Sequence, residues 1–198
     1  MSSERDLTAL TASQVLAQRR DSTTATSVGV DALYTQITVD LLRLQRDTLN
    51  QTLSACLGTL IDATGVDAAF IALPGADSGA IDDVIAATTV FSACNPQGLC
   101  GMEWSELPWL THAVGENRLV EIRDTADKAF ASVPEVGRLA ALKLGAVLAV
   151  GVRAHSDADL TLLVLGNERP VKSWDANMKL LLKQLGAALE AGLTLLDS

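Results

Sequence analysis

The side chains best suited to chemistry in this sequence are few, and most fall between residues 91 and 138. Cys94-Asn-Pro-Gln-Gly-Leu-Cys100-Gly101 sets two thiols across a short Pro/Gly loop. A thiolate on such an open loop can be oxidised, so Cys94 and Cys100 are candidate redox residues, although buried, inert thiols are the commoner case. Trp104, Trp109 and Phe130 stand out in a chain with only 4% aromatic residues, and Phe91 lies just upstream. Aromatic walls with a few polar groups suit a small-molecule site; Asp124 and Arg138 could orient a polar ligand, and His112 follows Trp109 closely enough to point inward. Packing of a lid accounts for the aromatics almost as well.

Other chemistries lack their residues. The third cysteine, Cys56, makes the count odd, which argues against a disulfide framework. His112 and His155 are the only histidines, and no CxxC, HExxH or EF-hand spacing occurs, so no metal is expected. Neither a Ser/His/Asp arrangement nor a phosphate-binding Gly loop ending in Lys-Ser/Thr is evident. An enzymatic reading therefore rests on the cysteine pair.

Composition narrows the partners. A formal charge of −9 repels nucleic-acid phosphates and anionic lipid headgroups. Glu4, Arg5 and Asp6 occupy the place of a signal peptide's apolar segment, and the longest clean apolar stretch, residues 144–152, is far short of the ~20 residues that span a bilayer. The expectation is a cytoplasmic protein that engages neither nucleic acid nor membrane.

These residues need a scaffold, and the patterning supplies one. Residues 1–31 are rich in Ser, Thr and charge without periodicity and read as a tail or linker; one domain is expected over 32–196. Residues 31–64 read as one long helix with two stripes, Leu33, Ile37, Leu41 and Leu44 on one and Leu42, Leu49, Leu53, Cys56 and Leu60 on the other, closed by Gly65. Residues 66–73 and 81–92 read as a strand hairpin. Short helices are expected near Pro108 and Pro134, with a strand at 119–122 between them. Residues 146–152 and 160–165, around a polar turn at 155–159, form a second hairpin. Ser173 is expected to cap a last helix over 174–196, in which Met178, Leu181, Leu185, Ala188, Gly192 and Leu195 keep a heptad register. Hairpins require antiparallel neighbours, so the fold class is α+β: an antiparallel sheet with helices packed on a face.

The string Gly145-Ala-Val-Leu-Ala-Val-Gly-Val152, a polar turn, Leu160-Thr-Leu-Leu-Val-Leu-Gly166 and Trp174 before a helix resembles the GAF family. Gly98-Leu-Cys-Gly101 and Val120-Glu-Ile-Arg-Asp124 extend the resemblance, which covers residues 34–195. It implies a GAF/PAS-like sheet with terminal helices on one face and, on the other, a ligand pocket walled by short helices and loops. It also implies a homodimer through the terminal helices, assigned to Leu42, Leu49, Leu53, Leu181 and Leu185. The chain would then be a non-catalytic sensor for a small molecule of unknown identity, regulating a signalling output domain such as one for cyclic-di-GMP turnover or a kinase. Asp127-Lys128-Ala129-Phe130 with Pro134-Glu135 is similar to the family's cyclic-nucleotide signature, but Asp127 and Pro134 replace defining residues. The alternative is a Cys94/Cys100 redox sensor or an enzyme like the free methionine-(R)-sulfoxide reductases, whose third cysteine has no equivalent here. Haem would need an axial ligand such as His112, and bilin attachment would need a cysteine in a crossing helix, commonly beside histidine.

Overall fold

Five strands pair in the order β2-β1-β5-β4-β3, every neighbour antiparallel, in the computed structural model. Residues 32–75, 79–117, 119–153 and 160–196 are described. The expected tail over residues 1–31 and the turn at residues 155–159, with His155, lie outside them. The elements are α1 (residues 32–42), α2 (Leu49–Thr64), β1 (Ala68–Pro74), β2 (Ile81–Thr88), α3 (Pro108–Asn117), β3 (Val120–Ile122), α4 (Pro134–Ala141), β4 (Ala146–Arg153), β5 (Leu160–Asn167) and α5 (Ala176–Leu196).

The central strands are apolar almost throughout because both sheet faces are covered. Ala69, Ile71, Leu148, Val150, Leu163 and Leu165 join one core with the three long helices. Phe70, Val147, Ala149, Leu162 and Val164 join a second core beneath residues 94–144, the roof of the sheet. Side chains alternate sides along a strand, so each strand feeds both cores. Register aligns Phe70, Val164, Ala149 and Val120 in one row across four strands. That row is the floor on which the roof rests.

The expected single helix over residues 31–64 is broken at residues 43–48. Its two apolar stripes point in different directions on a straight helix; the break lets Ile37, Leu41 and Leu44 reach the same core as Leu53, Leu57 and Leu60. Arg46 fastens the turn by donating from Nε to the Leu196 carbonyl at the far end of α5, 3.1 Å away. The α2 terminus is as expected, with Gly65 left-handed at φ 69°.

The start of α5 differs from expectation as well. Asp175, not Ser173, caps it: Oδ1 accepts from the backbone N–H of Asn177 at 2.8 Å and Met178 at 3.3 Å. Trp174 precedes the helix, buried, its indole donating to the Ile122 carbonyl at 3.2 Å. Burial also redraws the leucines assigned to a dimer seam. Leu53 and Leu185, at 0% and 1% exposure, belong to the chain's own core, and Leu49 and Leu181 are half-buried against it. The heptad register had marked the face that meets the sheet. Of the five leucines only Leu42 is exposed, together with Leu180 and Leu195 elsewhere on the helical surface.

One charged cluster ties the edge strand to α5. Glu121 on β3 accepts from Lys179 of α5 and from Arg123 Nε, the latter at 2.9 Å. Partial burial alone would raise the Glu121 carboxyl, but hydrogen bonds and charge from Lys179 and Arg123 outweigh it and hold it below the ordinary value. A depressed carboxyl contributes stability that is complete above its unfolded value and disappears as pH falls through the folded one. Glu121→Gln should therefore lower the urea midpoint at neutral pH by an amount equivalent to about 0.2–1 kcal/mol. The gap should close below pH 4.5, the ordinary carboxyl value. A gap of equal size at all pH values would show that the ion pair contributes nothing.

Candidate ligand site beneath the roof

The roof is assembled by proline-started helices and a buried acid. Pro108 and Pro134 open α3 and α4, where a missing N–H costs nothing. Glu135, in the first turn of α4 and only 3% exposed, accepts from the Trp109 backbone N–H at 2.7 Å. A carboxylate at the start of α3 satisfies a free donor and complements the helix dipole. Arg138 Nη1 reaches Glu106 Oε2 at 3.0 Å, joining α4 to the turn before α3. Beneath these ties Leu99, Leu107, Leu110, Val114, Val136 and Leu139 are buried against the sheet.

Trp109 and Phe130 meet edge to face, with ring centroids 5.8 Å apart and planes at 71°. Trp104 lies in a short 3-10 turn, Trp104–Glu106, and packs on the same core. Its indole Nε1 is buried and has no hydrogen-bond partner. Buried polar atoms are nearly always satisfied; among the described residues only Thr38 Oγ1 on α1 shares this state, so Trp104 Nε1 is the orphan that belongs to the roof.

The structure thus places Trp104, Trp109, Phe130 and Arg138 all in the roof, with Trp109 and Phe130 in contact and Arg138 turned to Glu106, and leaves the other expected residues elsewhere. Phe91 is 97% exposed on the turn after β2, because the chain reverses there instead of continuing inward. His112 is exposed on α3 and does not offer an axial ligand to the interior. Asp124 accepts from the Ala126 N–H at 2.8 Å, serving its own turn. Glu135 and Glu106 were missed: their roles come from α3 and α4 meeting, and only the acid following Pro134 hinted at them.

The cysteines are free. Cys94 is buried and donates to the Lys143 carbonyl at 3.2 Å, whereas exposed Cys100 donates to the Asp82 carbonyl at 3.1 Å. Burial, opposed by a Ser92 hydrogen bond and assisted by the Glu168 and Asp67 charges, pushes the Cys94 thiol up. Cys56 is pushed up to about 11 by burial and by the Asp40 charge. Neither favours the reactive thiolate. No cysteine lies on α3 or α4, so the residues do not fit covalent attachment of a bilin there. Among the described residues no group of three His, Cys, Asp or Glu could hold a metal, and no helix is long and apolar enough to cross a membrane.

Among solved structures, a phycocyanobilin-bound GAF domain from a cyanobacterial phytochrome superposes with a TM-score of 0.63 at 14% identity, over 84% of this chain and 94% of that one. The GAF domain of a phosphoenolpyruvate-protein phosphotransferase from Coxiella burnetii gives 0.56 at 18% identity, over 81% and 90%. The chain has the GAF fold. The free methionine-R-sulfoxide reductase from Neisseria meningitidis, solved with its substrate, is also similar, with a TM-score of 0.54 at 14% identity over 83% and 88%. No family model and no curated protein matches the sequence. The GAF likeness stated from the sequence therefore holds for the fold, and the sheet's two coverings are those that likeness implied. Identity this low carries architecture and leaves function to the site.

Proposed function

We propose that this chain is a non-catalytic GAF sensor module that binds a small molecule beneath its roof and regulates an attached or partner signalling output domain. The observation that carries this reading is the partnerless Trp104 indole, which packs on the same core as the Trp109–Phe130 pair. A buried donor left unsatisfied costs about 1–3 kcal/mol, which a ligand bearing a carbonyl or carboxylate acceptor would recover. The close packing of Leu107, Leu110, Val136 and Leu139 favours a compact ligand over one the size of a tetrapyrrole. The helical surface with Leu42, Leu180 and Leu195 is where a homodimer would carry the response to an output such as cyclic-di-GMP turnover or a kinase.

Native mass spectrometry of the protein as isolated, paired with the indole N–H spectrum of its three tryptophans, tests this reading. The expected result is a bound small-molecule mass that Trp104→Phe loses, with the Trp104 indole signal moving when the mass is removed. Only the bare chain mass, with no thermal shift across a metabolite panel, would overturn it. The reductase-like alternative makes its own prediction, thiol-dependent consumption of free methionine sulfoxide abolished by Cys100→Ser. We expect no turnover, since the Cys94 thiol is buried and each thiol is held by a different carbonyl.

A further inference from the structure

Residues 126–141 leave the sheet and return to the point they left. Thr125, just before them, is buried and joins the two stems: its N–H donates to the Gly145 carbonyl at 2.8 Å and its Oγ1 to the Leu144 carbonyl at 2.9 Å. Gly145 N–H in turn donates to the Asn167 carbonyl at 2.7 Å, which pins this neck to the end of β5. The exit from α4 is held as well, Asn95 N–H donating to the Leu142 carbonyl at 2.9 Å and Cys94 Sγ to the Lys143 carbonyl at 3.2 Å.

Between the stems the fastening is of another kind. Among the described residues, no backbone hydrogen bond runs from residues 126–141 to any part of the chain beyond their own stems, 124–125 and 142–145. Side chains alone join the segment to its surroundings. Glu135 accepts from the Trp109 N–H, Arg138 reaches Glu106, the Phe130 ring meets Trp109, and Val136 and Leu139 enter the core below. Glu135 and Arg138 lie three residues apart on one face of α4, and both reach the start of α3. Leu107, which precedes α3, has no side-chain oxygen to cap it, so α3 takes its cap from α4.

We propose that residues 126–141 form a flap that swings off the sheet about the Thr125–Gly145 neck, with Glu135 as its latch on α3. Opening frees the Trp109 N–H and the Glu135 carboxylate together, and both then meet water, so neither is left buried without a partner. Val136 and Leu139 expose apolar surface in the same motion, which keeps the open form a minority state. That the flap admits a ligand rests on the sensor reading; the flap itself does not.

Native-state hydrogen exchange on the full chain, with no ligand added, tests it. Once off the sheet, an eight-residue helix does not hold its own hydrogen bonds, so opening appears as exchange of the α4 amides. The amides of residues 138–142 and the Trp109 N–H should exchange through one shared opening, well before those of β4 and β5. Glu135→Ala should speed that group about tenfold or more, as loss of a hydrogen bond to a charged acceptor does, and leave β4 and β5 unchanged. Glu135→Gln, which keeps an acceptor, should speed it less. Wild-type α4 amides that exchange only together with β4 and β5 would overturn the proposal, and so would a Glu135→Ala variant that speeds Trp109 without α4. Native mass spectrometry separates this result from the sensor reading: a chain with no bound mass whose α4 amides still open as a group keeps the flap and loses the sensor, whereas a bound mass with α4 opening only in global unfolding does the reverse.

Discussion

Leu185→Ala should lower the free energy of unfolding by about 2–5 kcal/mol, whereas Leu180→Ala should change it by no more than about 0.5 kcal/mol. The two leucines are five residues apart on α5, yet Leu185 is 1% exposed and Leu180 is 55% exposed. Truncating Leu185 opens a cavity in the core that also holds the fully buried Leu53, Leu148 and Leu182, and a close-packed core does not collapse to fill it. Urea unfolding at a fixed, low protein concentration gives both numbers, with an unchanged slope showing that the denatured state is the same. Equal losses at the two positions would mean that α5 is held mainly by another copy rather than by its own sheet. This comparison decides whether the stripe containing Leu185 is core or interface. It also bears on signalling, because a helix packed so firmly on β4 moves only when the sheet moves.

How much was legible follows from how locally each feature is determined. β4 and β5 could be read because both faces are buried, which leaves almost unbroken apolar runs. Gly65 could be read as a terminator because its left-handed backbone is a local property. The break at residues 43–48 could not, since every residue there tolerates a helix and the reason for the turn is a core assembled from distant segments. For the same reason the heptad in α5 showed which residues share a face without showing what that face meets. In the site, Trp104, Trp109 and Phe130 were conspicuous by rarity, and they do lie in the roof. Glu135 was hidden because its partner, the Trp109 N–H, is 26 residues away in sequence. Phe91 was misplaced by continuity with the apolar end of β2: the turn after Thr88 sends it outward, which no periodicity reveals.

Gly151→Ala should cost about 1–3 kcal/mol and disturb the roof more than any comparably small change on its surface. A methyl group at Gly151 of β4 would lie 2.0 Å from Val114 Cγ1 of α3 and 3.2 Å from Leu160 Cδ1. Valine is short and branched and cannot swing aside, so α3 itself must lift. α3 carries Trp109, which contacts Phe130 and is tied to α4 through Glu135, so the lift reaches the proposed ligand site directly. The next residue on the strand, Val150, points to the opposite face, where its Cγ1 would lie 2.9 Å from a methyl group on Gly186 of α5. Roof and terminal helix thus bear on adjacent residues of one strand from its two sides, a short mechanical link between where a ligand would bind and where an output would be coupled. In the amide and indole N–H spectrum, Gly151→Ala should shift Trp104, Trp109 and the residues of α5 around Gly186 together. Gly186→Ala should move the same roof signals from the other side. A perturbation that stops at β4 in both variants would show that the sheet insulates α5 from the roof, and a sensor built this way would have to signal by another route.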